Sequence, residues 1–181
     1  MTTNVDLGVG HHRLALFWGL AILGLLAPWA IAGIDWSALP FAAQPRQRCT
    51  VASIHDGDTL RAECNGERLQ IRLYCIDAPE MAQAPWGRES RDHLRAITPN
   101  HIEIQVRDTD RYGRTVAEIM TPEGVSLNQR MVLDGQAAVY PRYCTDPAYT
   151  RLGEEARTHG IGIWSRPGDQ QRPWDYRRRS G

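Results

Sequence analysis

Apolar and polar residues alternate in several short runs between residues 49 and 120, and the spacing turns helical between and after them. The clearest run covers residues 68–76. There Leu69, Ile71, Leu73 and Cys75 take one parity, and Gln70, Arg72 and Tyr74 take the other. A period of two is the mark of a half-buried strand. Strands are likewise predicted over residues 49–54 and 59–63, joined at the turn-forming Asp56-Gly57, with Asn65-Gly66 turning the chain into the third. Ala78-Pro79 ends that strand. Residues 101–107 set Ile102, Ile104 and Val106 against Glu103, Gln105 and Arg107, and residues 114–120 make a fifth strand. A helix is predicted over 86–97, opened by Pro85 and stopped by Pro99. A second covers 125–134, with Leu127, Met131 and Val132 as its apolar stripe and Gly135 as its stop. Asp146-Pro147, a capping residue followed by proline at the first helical position, starts a third that runs to Thr158 before Gly160.

Three hairpin-connected strands, a helix, two more strands and two helices describe a mainly β fold with α. The expected architecture is a five-stranded Greek-key barrel of the OB-fold type, with three helices. It occupies residues 49–165, and the Arg- and Pro-rich residues 166–181 read as an extended tail. Residues 14–34 are different: uncharged, rich in Leu, Ala, Ile and Trp, and long enough to span about 30 Å of hydrocarbon. His11-His12-Arg13 before this run and Asp35 after it orient residues 1–13 to the cytoplasm and the domain outside. A transmembrane anchor is one reading. A signal sequence cleaved after Ala30-Ile31-Ala32 is the other, and it releases the domain. Both export it, and residues 35–48, with Pro40 and Pro45, are the linker.

The chain of 181 residues has formal net charge 0, which excludes a broad polybasic surface but not a local cationic pocket. Every basic residue is Arg, so every cation offers a planar fork suited to phosphate. Cys49, Cys64, Cys75 and Cys144 form an even set in an exported domain, which implies disulfides. The first hairpin brings Cys49 opposite Cys64 and leaves Cys75 with Cys144. Spacing for a cysteine metal site is absent.

Two acidic stretches carry the candidate chemistry: Asp56-Gly57-Asp58-Thr59, and Arg72-Leu73 followed by Asp77-Ala78-Pro79-Glu80. Carboxylates on neighbouring strand ends can hold a hard divalent cation, and arginines beside them can hold a phosphodiester against it. Together with Asp110-Arg111-Tyr112-Gly113-Arg114 and Gly160-Ile161-Gly162-Ile163-Trp164, these stretches resemble the staphylococcal nuclease, or thermonuclease, family. The motifs occur in the family's order over residues 49–165.

The resemblance implies an OB-fold nuclease that hydrolyses DNA or RNA with Ca²⁺, other hard divalent ions being compatible with oxygen ligands. It implies Asp58 and Asp77 as direct ligands and the backbone carbonyl of Ala78 as a third, although Ala78 stands where a threonine is familiar. Asp56 supports these ligands without touching the ion. By the same resemblance Glu80 is the general base, and Arg72 and Arg114 neutralise phosphate charge. Tyr112, Tyr140 and Tyr143 contact the nucleotide; one of the family's two tyrosine positions falls on Pro141. The expected partner is nucleic acid, with the membrane through residues 14–34 unless cleaved, and the expected state is a monomer with no protein partner. The competing readings on the same barrel are a non-catalytic nucleic-acid- or protein-binding module and a membrane-tethered interaction domain using the Arg177-Arg178-Arg179 run.

Overall fold

Alternating side chains and turn residues close a barrel in the computed structural model, which describes residues 45–180. The apolar run at 14–34, with its anchor and signal readings, lies outside the described residues. Among the described residues no helix is long and apolar enough to cross a membrane. Strands β1 (Gln47–Ile54), β2 (Thr59–Cys64) and β3 (Glu67–Leu73) form two successive antiparallel hairpins. At the second turn Asn65 and Gly66 take φ of 52° and 82°, the left-handed pair that matches strand twist in a two-residue hairpin.

The third strand is shorter than its alternation predicts. It stops at Leu73 because Cys75 turns into the left-handed region at φ 69°. Three partners hold that turn: Tyr74 N donates to Ala117 O, Tyr140 N donates to Cys75 O, and Cys75 is bonded to Cys144. The next two residues become β4 (Ile76–Asp77), which pairs with β7 (Ala138–Val139) in a small separate sheet. Helix α1 (Trp86–Ile97) follows, then the hairpin of β5 (His101–Thr109) and β6 (Thr115–Met120). β6 runs parallel to β3 and β5 runs antiparallel to β1, so the order β1-β2-β3-β6-β5 closes on itself. Closure leaves the barrel no open edge for another chain.

The barrel interior is filled by Leu60, Ala62, Ile71, Leu73, Ile102, Ile104, Ala117 and Ile119. Each large aliphatic side chain among them contributes roughly 1.5–3 kcal/mol by leaving water. Helices α2 (Leu127–Leu133) and α3 (Pro147–Thr158) cover one end. Asn128 of α2 is fully buried and ties three segments together: its Oδ1 accepts from Ile119 N, and its Nδ2 donates to Tyr74 O and Ala117 O, all at 2.9–3.0 Å. Asp146 caps α3 through Ala148 N at 2.8 Å, with Pro147 at the first position. Gly135 (φ 65°) and Gly162 let two backbones meet where α2 ends, and Ile163 N donates to Gly135 O at 2.8 Å.

The expected extended tail is folded. After a 3₁₀ turn at Gly162–Trp164, a second at Asp169–Gln171 leads into α4 (Pro173–Ser180), a fourth helix among the described residues where the domain was expected to have three. Gln170 anchors the connection by donating from Nε2 to Ile163 O and Arg166 O. Proline at the start of α4, Asp175 in its first turn and Arg177, Arg178 and Arg179 in its last all suit the helix dipole.

The cysteines pair as Cys49–Cys64, across β1 and β2, and Cys75–Cys144. Thiol titration of non-reduced, denatured protein is expected to find no reactive thiol, and finding four would mean that neither bridge exists. Replacing Cys75 and Cys144 by serine is expected to lower the unfolding free energy by about 2–5 kcal/mol in denaturant melts.

Buried Glu118 accepts from Tyr149 OH and Ser126 Oγ, both at 2.6 Å. Burial and then the Glu118 charge raise the Tyr149 pKa well above its ordinary 10.0. A phenol that keeps its proton only in the folded state contributes stability that is whole below that ordinary value. The contribution is lost as pH climbs beyond it. Tyr149→Phe is expected to remove this alkaline slope and, by depriving Glu118 of a donor, to cost about 1–3 kcal/mol at neutral pH. Urea melts between pH 7 and about 11 check both effects, and identical slopes in the two proteins would refute the assignment.

Candidate active site

The register of β2 against β3 pairs Thr59 with Arg72, which brings Asp58 beside the arginine. Leu73 N donates to Asp58 O at 2.8 Å and locks this alignment. Asp58 is buried. Its Oδ2 accepts from Ala78 N at 2.7 Å, and its Oδ1 accepts from Thr59 Oγ1 at 3.1 Å. Arg72 forks between two carboxylates: Nη1 meets Asp58 Oδ1, and Nη2 meets Asp77 Oδ1 at 2.6 Å while also reaching Ile76 O. The turn at Cys75 is what carries Asp77 back to this point. Asp77 has 0% exposure, whereas 14% of the Arg72 side chain remains accessible. Burial lowers the Arg72 pKa, against which the charge of Asp77 works to raise it.

The arginine expected to face phosphate therefore has its fork engaged by the two carboxylates expected to face a cation. The reason is electrostatic. Two carboxylates this deeply buried require positive charge, and Arg72 is the nearest.

Asp56 sits behind Asp58 and accepts from Asp58 N at 3.1 Å, so it shapes the turn that presents the next carboxylate. Its burial raises its own pKa, with Arg72 opposing. Between them Gly57 has no room for a side chain: a Cβ there would overlap Ser90 Oγ of α1 and lie 2.7 Å from the Ala78 Cβ. This close approach clamps the acidic turn, Ala78 and α1 together. Glu80 follows in a loop fastened at both ends, with Gln83 Oε1 accepting from Glu80 N and Gln83 N donating to Glu80 O, each at 2.8 Å. Gln83 and Gly87, whose missing side chain admits the Glu80 carbonyl, are positioning residues that the sequence reading passed over.

Arg114 enters from the β5–β6 turn. Asp110 holds it by two atoms: Oδ1 accepts from Arg114 N at 3.0 Å and from Tyr112 N at 2.9 Å, and Oδ2 accepts from Arg114 Nε at 2.7 Å. Burial would raise the Asp110 pKa, but these bonds hold it below the usual range. The clamp uses Nε and leaves the outer edge of the guanidinium pointed elsewhere. Tyr112, 69% exposed, lies beneath Arg111 and Arg114, 4.7 Å and 5.7 Å from its ring centroid. Across the opening, Tyr140 and Tyr143 meet edge to face at 5.0 Å, and Tyr143 is 59% exposed. Asp56, Asp58, Arg72, Ala78, Glu80, Tyr112, Arg114, Tyr140 and Tyr143 all line one cleft of about 840 Å³. Asp77 lies just under its surface.

Helix α4 adds two contacts to this site. Arg177 lines it and donates from Nη1 to Glu80 Oε1 at 2.6 Å and from Nη2 to Asp77 Oδ2 at 2.8 Å. Trp174 stacks on Tyr140 at 5.1 Å, nearly parallel. The Arg177-Arg178-Arg179 run was visible as charge, but no local pattern in the chain points it at Glu80.

Among the described residues no three His, Cys, Asp or Glu side chains converge as a ready metal cage. The donors at hand are all oxygen: the carboxylates of Asp58 and Asp77, with the Ala78 carbonyl adjacent in the chain. Two buried carboxylates already drawing in guanidinium groups fit a hard cation that completes its shell with water or phosphate oxygens.

Comparison with known families matches residues 70–166 to the one described as "Staphylococcal nuclease homologue". A "Micrococcal nuclease" of Shigella flexneri is 35% identical over 144 residues, covering 74% of this chain and 82% of that protein. An "Uncharacterized endonuclease" of Escherichia coli O157:H7 is 38% identical over 130 residues, 71% and 84% of the two lengths. "Protein ParB" of Escherichia coli is 34% identical over 166 residues, 86% and 88%. With the family's span running from within β3 to just past the Gly162–Trp164 turn, and relatives aligned over most of their own length, the chain belongs to the staphylococcal nuclease homologue family.

Proposed function

We propose that this nuclease hydrolyses phosphodiester bonds of DNA, RNA or both, with Asp58, Asp77 and the Ala78 carbonyl holding a hard divalent cation, Ca²⁺ by family resemblance. When bound, the ion supplies positive charge at the phosphoryl oxygens. Glu80, on the rim of the cleft, takes the proton of the attacking water. Arg114, and Arg72 with the N–H groups that Asp58 and Asp77 do not use, direct guanidinium charge at the equatorial oxygens. Tyr112 and Tyr143, the most exposed aromatics of the cleft, stack on bases, an interaction worth about 1–3 kcal/mol per base that any base satisfies. The observation that carries this reading is the convergence on one cleft of carboxylates from two strand ends, two arginines from β3 and the β5–β6 turn, and aromatic rims on both sides. The two disulfides suit an oxidising compartment. They support an exported domain, tethered through residues 14–34 or released after Ala32.

Cleavage of single- and double-stranded DNA and RNA by the 181-residue chain with Ca²⁺, with Mg²⁺ and with chelator tests the proposal. Cation-dependent cleavage is expected, and Glu80→Gln is expected to lose about 10²–10⁴-fold in turnover while keeping its melting temperature. Wild-type cleavage by that variant would remove Glu80 from the mechanism.

Arg72→Lys is expected to cut cleavage sharply, since an ammonium lacks the fork. It is also expected to lower the unfolding free energy by about 1–3 kcal/mol, because one buried carboxylate loses its donor. A variant as stable and as active as the parent contradicts both statements.

A further inference from the structure

The cation-holding carboxylates and the proposed base already have a cationic occupant, and it comes from beyond the residues matched to the family. The family match ends at residue 166, whereas α4 begins at Pro173. Arg177 of this helix grips Glu80 and Asp77 at once. Asp77 is thereby spoken for on both oxygens, Oδ1 by Arg72 and Oδ2 by Arg177, and it has no exposed surface. A cation approaching from the cleft meets the Arg177 guanidinium before it meets Asp77 Oδ2. Glu80 Oε1 accepts from this arginine, which holds the carboxylate in an ion pair where it would meet the water.

A second contact of the same helix points the same way. Trp174 covers the face of Tyr140 at an interplanar angle of 6°, the geometry a nucleobase would adopt there. One short helix thus sets a cation on the carboxylates and a flat ring on an aromatic wall of the cleft. Arg179 pairs with Asp169 at 2.6 Å, and Gln170 fastens the preceding turn, so the helix is anchored from behind. Burial by itself would lower the Arg177 pKa; the hydrogen bonds to Asp77 and Glu80 raise it instead, so the arginine stays charged.

We propose that α4 is an autoinhibitory strap whose Arg177 competes with the divalent cation for Asp77 and withholds Glu80, while Trp174 occupies part of the nucleotide surface. The strap rests on the assignment of Asp77 and Glu80 made under the proposed function. It makes the enzyme's apparent cation affinity a property of two equilibria, strap opening and ion binding. The apparent dissociation constant exceeds the intrinsic one by the inverse of the open fraction.

The direct test is calorimetric titration of the 181-residue chain with CaCl₂, comparing the parent with Arg177→Ala, Trp174→Ala, Arg178→Ala and Asp77→Asn. Arg177→Ala is expected to bind Ca²⁺ about tenfold more tightly or better. Trp174→Ala is expected to move in the same direction by less. Arg178, which pairs with Asp175 on its own helix, serves as the charge-matched control and is expected to leave affinity unchanged. Because removing Arg177 strips Asp77 of a partner, the variant is also expected to melt lower than the parent without Ca²⁺ and to gain more from added Ca²⁺. At sub-saturating Ca²⁺ both strap variants are expected to cleave faster than the parent, with the difference closing at saturation.

If Arg177→Ala fails to fold, Trp174→Ala decides the matter on the same readouts. Unchanged or weaker Ca²⁺ binding in a folded strap variant overturns the strap. So does a drop in cleavage at saturating Ca²⁺, which would make Arg177 a substrate ligand instead. Ca²⁺ binding that survives in Asp77→Asn, or is absent from parent and strap variants alike, is a different failure. It removes the cation assignment itself and the strap with it.

Discussion

A guanidinium buried between two carboxylates is the constraint on which the rest of the cleft depends. Asp58, Arg72 and Asp77 come from three segments: the turn before β2, the end of β3 and β4. None of the three ions is tolerable alone at that depth, since an uncompensated buried charge costs several kcal/mol. Each segment is therefore held in register by the other two. The pairing of Thr59 with Arg72 and the left-handed turn at Cys75 are the backbone devices that deliver the charges to one point. The cluster is also anionic in excess, because Asp56 and Glu80 line the same cleft. Carboxylates that outnumber Arg72 draw in further positive charge, and Arg177 on Asp77 and Glu80 is the instance the structure shows.

Around this centre the structure links the carboxylates to the other walls of the cleft. The Cys75–Cys144 bridge joins the turn before Asp77 to the residue after Tyr143, so the buried carboxylate and the aromatic rim cannot drift apart. Asn128 spends all three of its bonds on Ile119 and Ala117 of β6 and on Tyr74, which fixes α2 against the end of the barrel. Glycines do the complementary work by omission. Gly57 allows α1 to press against the acidic turn, and Gly87 allows it to press against the Glu80 carbonyl. The site is rigid because covalent, hydrogen-bonded and steric restraints reach it from different elements.

Much of this was legible in the chain. α1 and α3 have the bounds that Pro85 with Pro99, and Asp146-Pro147 with Gly160, predict, because proline and capping residues act on the backbone locally. The hairpin turns, and with them the opposition of Cys49 and Cys64, follow from Asn-Gly and Asp-Gly chemistry in the same way. The alternation of residues 68–76 misleads at its end, where a disulfide and two distant backbone bonds outweigh a period-two pattern and turn the strand at Cys75. The last sixteen residues mislead more. Their Arg and Pro content suggests an extended tail, whereas the anchor that makes α4 fold is Gln170 reaching carbonyls of the domain.

The sequence by itself determined the barrel, most element boundaries, the opposition of Cys49 and Cys64, the acidic and arginine motifs and hence the family, because those depend on side-chain period, turn chemistry and short-range order. Only the tertiary structure decided what each charge meets. That Arg72 is forked between Asp58 and Asp77, that Arg114 is clamped by Asp110, and that Arg177 sits on Asp77 and Glu80 are not readable along the chain. Arg177 is separated from Asp77 by 100 residues. A long-range ion pair leaves no periodic trace in a sequence, since it follows from where the closed barrel and its appended helix put two distant residues.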